Sequence, residues 1–127
     1  MKRILITAAI AIAVILPGFS LMGTPSAAAD SCWLSSTSLG TSGSYIIGQG
    51  VTQCATEAYR TLRVCIVQDY VTRACGTTYG NAKVLWSSPS CQIQYNGPYV
   101  SFVRVTLTNA AGYQWFWQGP TKYLPRC

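Results

Sequence analysis

The residues able to do chemistry in this chain are few: six cysteines, three carboxylates and no histidine in 127 residues. Acid–base catalysis near neutral pH draws on histidine or a tuned carboxylate pair, unless a metal takes over the role. Asp30 follows an expected leader, which leaves Glu57 and Asp69 as the pair to weigh. Each sits beside a turn-like segment rather than in an apolar run, the setting of a solvated surface charge. No G-x-S-x-G elbow accompanies the many serines, and no base is at hand to activate one. Gly48-Gln49-Gly50 lacks the third glycine and the following helix of a phosphate-cradling loop. The expectation is a non-enzyme with no catalytic residue and no cofactor.

Cys32, Cys54, Cys65, Cys75, Cys91 and Cys127 form an even set without CxxC pairs or a histidine partner, which points to three disulfides and not to a metal site. In Arg60 to Gln68, Leu62, Val64 and Ile66 alternate with Arg63, Cys65 and Val67. Arg63 shares a face with Cys65, and burying an unpaired guanidinium costs several kcal/mol, so Cys65 is expected to point outward. A hairpin with the loop Asp69-Tyr70-Val71 places Cys65 opposite Cys75, close enough to bridge. Six cysteines allow fifteen pairings and the sequence does not choose the other two bridges; proximity along the chain offers Cys32–Cys54 and Cys91–Cys127 as one choice.

A third constellation is Tyr113, Trp115 and Trp117, flanked by Gln114 and Gln118, which on an exposed strand is a platform for stacking on sugar rings. Its side of the sheet depends on the preceding turn. Asn109-Ala110-Ala111-Gly112 has the pattern of a type I turn with a glycine bulge, which sets Leu107 opposite Trp115 and Val105 opposite Trp117 and sends both rings to the core. A loop of two or four residues shifts the register by one and turns them outward beside Arg104 and Thr106, where Arg104 lies on Trp117. The turn chemistry favours the structural role for Trp115 and Trp117; in the other register Tyr113, Trp115, Trp117 and Arg104 are the candidate binding residues.

The elements that must position these groups are strands. Residues 1–29 read as a secretory leader: Lys2 and Arg3, an apolar stretch from Ile4 to Leu16, and Ala27-Ala28-Ala29 before a cut. About 100 residues follow, enough for one domain. Residues 30–44, rich in Ser, Thr and Gly, read as an extended N-terminal arm, and 45–127 as the folded domain. Short alternating runs end at turn signals such as Ser87-Ser88-Pro89-Ser90 and Asn96-Gly97-Pro98, and no helical apolar period appears. The fold class expected is all-β: a small, disulfide-stapled, immunoglobulin-like antiparallel sandwich of six to seven short strands.

The stretch from Val51 to Arg104 resembles a group of small secreted, cysteine-containing β-sandwich proteins of actinobacteria, through Cys54, Leu62-Arg63-Val64-Cys65-Ile66, Cys75, Cys91 and the strand Tyr99 to Val105. That resemblance implies a stapled sandwich and no known activity. The tail Lys122-Tyr123-Leu124-Pro125-Arg126-Cys127 is similar to the end of tendamistat-type α-amylase inhibitors, whose inserted Trp-Arg-Tyr segment is missing here.

Outside the leader, Arg60, Arg63, Arg73, Lys83, Arg104, Lys122 and Arg126 are scattered, which disfavours nucleic acid. The modest positive charge suits an anionic envelope surface. The functional expectation is a secreted, extracellular, non-catalytic binding or envelope-associated structural module. Cell-wall polysaccharide or an anionic envelope surface would be its partner, with no transmembrane anchor after cleavage. The alternative is a secreted enzyme inhibitor or antimicrobial factor.

Overall fold

The computed structural model describes residues 30–127, so the expected leader and its cleavage site lie outside the described residues. These residues form nine strands: β1 (Cys32–Ser42), β2 (Tyr45–Cys54), β3 (Tyr59–Gln68), β4 (Val71–Asn81), β5 (Val84–Ser87), β6 (Ser90–Gln92), β7 (Tyr95–Asn109), β8 (Gln114–Gln118) and β9 (Lys122–Arg126). One antiparallel sheet has the order β8-β7-β3-β4, with β9 also on β7; the other has the order β1-β2-β5, with β6 also on β2. The two sheets pack as a sandwich with immunoglobulin-like connectivity, in which the first, second and fifth strands oppose the third, fourth and seventh.

Two segments differ from expectation. The stretch read as an arm is the edge strand β1, paired to β2 from Cys32↔Cys54 to Ser42↔Tyr45. Its serines and threonines still carry backbone groups that need partners, and Leu34 and Leu39 turn inward to the core. The C-terminal tail is a strand too, which with β6 brings the number above the six or seven expected.

The core lies between the inward faces of the sheets: Leu62, Val64, Ile66, Val103, Val105 and Leu107 against Leu39, Ile46, Cys54 and Leu85. The central strand of the second sheet supplies little bulk of its own. A Cβ on Gly50 would lie 2.9 Å from methyl groups of both Val64 and Val105, so glycine there lets the opposite sheet close down onto the β2 backbone.

All three bridges join the expected cysteines. Cys32–Cys54 links β1 to β2, Cys65–Cys75 links β3 to β4, and Cys91–Cys127 ties β6 to the end of the chain. Three bridges in a small all-β domain belong to an oxidising environment. The β3–β4 turn differs in detail from the expected three-residue loop. Asp69 (φ 48°) and Tyr70 (φ 64°) alone form it, and a bulge between Ile66 and Val67 restores the opposition of Cys65 and Cys75.

Two polar side chains close the ends of the core. Arg60 is buried and donates from Nη1 to the carbonyls of Thr56 (3.0 Å) and Ala82 (3.3 Å), pinning the loop before β3 to the turn after β4. At the other end of β3, Gln68 is buried; its Nε2 donates to Ser101 Oγ (2.9 Å) and Pro125 O (2.7 Å), and its Oε1 accepts from Cys127 N (3.1 Å).

Candidate functional site

The structure separates the aromatic constellation picked from sequence. Asn109 makes the anticipated turn: Gly112 N donates to Asn109 O (3.0 Å), and Asn109 Oδ1 accepts from Ala111 N (3.1 Å) and Tyr113 N (2.9 Å). Gly112 takes the positive φ of the bulge (89°), and the register is Trp115↔Leu107 and Trp117↔Val105. Both indoles are half-buried against the core, and Tyr113 meets Trp115 edge-on with ring centroids 4.8 Å apart. Arg104 lies on the opposite, outer face of that sheet, where its Nη2 donates to Thr72 Oγ1 (2.9 Å). Trp115, Trp117 and Arg104 thus do not form one surface, and the residue exposed between the two indoles is Phe116.

The two carboxylates weighed as a pair, Glu57 and Asp69, do not come together either. Glu57 precedes β3 and Asp69 follows it, so the ten-residue strand holds them roughly 30 Å apart, far beyond the separation of two carboxylates acting on one bond. Ala55 N donates to Ser31 O (2.9 Å), which ties the residue before β1 to the loop before β3. Among the described residues no cluster of three or more His, Cys, Asp or Glu offers a metal site, and no helix is long and apolar enough to cross a membrane.

The outer face of the β3–β7 sheet carries its own small apolar patch. Cys65, Val67 and Phe102 are buried there although they point away from the main core. Above them lie Tyr70, its ring 6.3 Å from that of Phe102, and Arg63, whose Nη2 donates to Cys75 Sγ (3.4 Å). The outward position of Cys65 inferred from Arg63 holds, and the bridge forms the floor of this patch.

The surface that sequence reading missed is the outer face of the other sheet. On β2 the side chains alternate strictly, so that Tyr45, Ile47, Gln49, Val51 and Gln53 face out while Ile46, Gly48, Gly50, Thr52 and Cys54 face in. The pairings Trp33↔Gln53, Ser36↔Val51, Trp86↔Val51 and Val84↔Gln53 then put an indole on either side of the strand. Trp33 is 43% exposed, Trp86 56%, Tyr45 46%, Val84 45% and Ile47 40%. None of β1, β2, β5 or β6 contains Asp, Glu, Lys or Arg; the nearest along the chain are Asp30 and Lys83 at its ends. The neutral polar groups of the face include Ser36, Ser38, Gln49, Gln53, Ser88, Ser90 and Gln92, with Gln49 Nε2 donating to Ser88 Oγ (3.2 Å).

The signal for this face was present in the cysteines. Once Cys32 is set opposite Cys54, Trp33 must stand opposite Gln53 with its ring outward.

A recess of about 300 Å³ lies along the β1 edge, lined in part by Thr37, Leu39, Val103 and Gly119. Its one charged group, Lys122, donates from Nζ to Leu39 O (2.7 Å), which leaves it a structural tie across the sheets and not a chemical site.

Comparison with family models, with curated proteins and with solved structures returns no match for this chain.

Proposed function

We propose that this chain is a secreted, non-catalytic binding module that works outside the cell, at the envelope or on material bound there. The observation that carries the reading is the charge-free outer face of β1, β2, β5 and β6, where two tryptophans, a tyrosine, an isoleucine and a valine stay exposed on a rigid, disulfide-tied sheet. Small soluble domains rarely leave so many large apolar groups together on one face without a partner. The separation of Glu57 from Asp69 and the absence of histidine support a role in binding over turnover. The test is retention of the purified, disulfide-bonded protein on insoluble cell-wall polysaccharide and on envelope fractions. Retention on either supports the module, and passage through both without delay refutes it.

A second reading, an inhibitor or antimicrobial factor, rests on a different feature. Tyr70 is 81% exposed at the tip of the β3–β4 hairpin, which Cys65–Cys75 staples five residues behind the tip. A rigid loop presenting one aromatic ring is how many inhibitors enter a cleft. Loss of a target-enzyme or growth-inhibition activity in Tyr70→Ala, with melting unchanged, would favour it.

A further inference from the structure

We propose that the outer face of β1, β2 and β5 binds a neutral polysaccharide chain, with Trp33 and Trp86 stacking on two of its sugar rings. This assignment rests on the binding-module reading and names its ligand class. The two tryptophans stand on the strands either side of β2, two strand spacings apart (about 10 Å) and offset by two residues (about 7 Å), so their Cα atoms are roughly 12 Å apart. That is the scale of two linked pyranose rings. Between the indoles the floor is lower: Val51 and Gln53 are half-buried where both rings stand exposed. A pyranose offers an aliphatic C–H face, which an indole covers, and a rim of hydroxyls that need both donors and acceptors. The amides of Gln49 and Gln53 supply both, and Ser36 and Ser88 add hydroxyls beside them.

Charge selects the kind of chain. A uronic acid or phosphate polymer laid on this face would lose water and gain no counter-charge, because the four strands hold no cation. The guanidinium groups lie on the opposite sheet, where Arg63 and Arg104 point outward. A second copy of this chain is a poorer occupant: face-to-face burial would strip water from Gln49, Gln53 and the serines, whose amides and hydroxyls interrupt the apolar groups.

The experiment is affinity sedimentation of the disulfide-bonded protein with insoluble cellulose and chitin as neutral probes and polygalacturonate gel as the anionic one. It is run on wild type, Trp33→Ala, Trp86→Ala, Val51→Lys and, as a control on the opposite sheet, Phe116→Ala. Expected is retention on a neutral probe that persists at high salt, a loss of at least about tenfold in each tryptophan variant and in Val51→Lys, and no change in Phe116→Ala. Unchanged melting in the variants assigns the loss to the face and not to unfolding. Equal retention of wild type and both tryptophan variants overturns the proposal, as does retention on polygalacturonate alone. A dimer in sedimentation equilibrium that dissociates in Trp86→Ala, with no neutral probe bound, also overturns it and makes the face a self-interface. Binding to an envelope fraction without binding to a neutral polysaccharide removes this ligand class and leaves the module standing. Binding to nothing removes both.

Discussion

Replacing Gly50 with alanine adds one methyl group at the tightest point between the sheets. The new Cβ would sit 2.9 Å from Val64 Cγ2, 2.9 Å from Val105 Cγ2 and 3.3 Å from Val64 Cγ1, and both valines are fully buried. Rotating them away is costly, because a β-branched side chain has few χ1 wells and its neighbours here are core residues. Overpacking of this kind costs about 1–3 kcal/mol, against a gain of about 0.5–1 kcal/mol from removing a glycine within a strand. The net is a loss of about 1–2 kcal/mol, which for a domain this small lowers the melting temperature by roughly 10 °C. Gly40→Ala is the matched control: it adds the same methyl on the neighbouring strand, where nothing lies within 4 Å. Thermal melts followed by circular dichroism should therefore move in opposite directions, Gly50→Ala down and Gly40→Ala slightly up. Trimming Val64 to alanine in the Gly50→Ala background should recover part of the deficit. If Gly50→Ala melts at or above wild type, the sheets are not as close as described and the account of β2 is wrong.

Trp115→Ala should destabilise by about 3 kcal/mol in urea titration, since the half-buried indole packs on the core, whereas the exposed Trp86 should change stability by less than about 0.5 kcal/mol on truncation. Arg60→Met keeps the apolar stem but removes the donors to Thr56 and Ala82, and should cost about 1.5–3 kcal/mol, with faster hydrogen exchange in 55–58 as the local signature. Peptide mapping without reduction should recover Cys32–Cys54, Cys65–Cys75 and Cys91–Cys127. Opening Cys91–Cys127, which closes the longest loop (separation 36), should cost about 4 kcal/mol against about 3 for Cys65–Cys75 (separation 10) in the chain-entropy account. Changing Glu57 and Asp69 together to Gln and Asn should leave polysaccharide or envelope binding intact; a hundredfold loss in any hydrolytic activity would mean that a working carboxylate had been dismissed.

Where side-chain size and polarity followed the pleat, the sequence was readable. Leu62, Val64 and Ile66 set against Arg63 gave β3 its faces, and the Asn109 to Gly112 turn chemistry fixed the β7–β8 register and sent Trp115 inward. On β2 the usual alternation is inverted. The inward positions after Ile46 are Gly48, Gly50, Thr52 and Cys54, while Ile47 and Val51 face out, so hydrophobicity points to the wrong side. That inversion hid the exposed sheet, and with it Trp33 and Trp86. β1 escaped notice for a related reason: an edge strand of Ser, Thr and Gly is held by backbone pairing and a bridge, neither of which leaves a periodic mark. Arg60 and Gln68 were unreadable because their partners are backbone carbonyls and distant strands, settled only by the tertiary fold.

Six of the seven basic residues within 30–127 lie on strands of one sheet, and the other sheet has none, Lys83 standing in the turn between β4 and β5. The domain is therefore a two-sided particle with a built-in electric axis. Near any negatively charged surface it experiences a torque as well as an attraction, and it settles with the arginine-bearing sheet down and the neutral aromatic sheet facing the solution. An anionic support would array the molecules with their tryptophans outward, ready for a second material, and rising salt would randomise that orientation before it weakened contacts made by the indole rings.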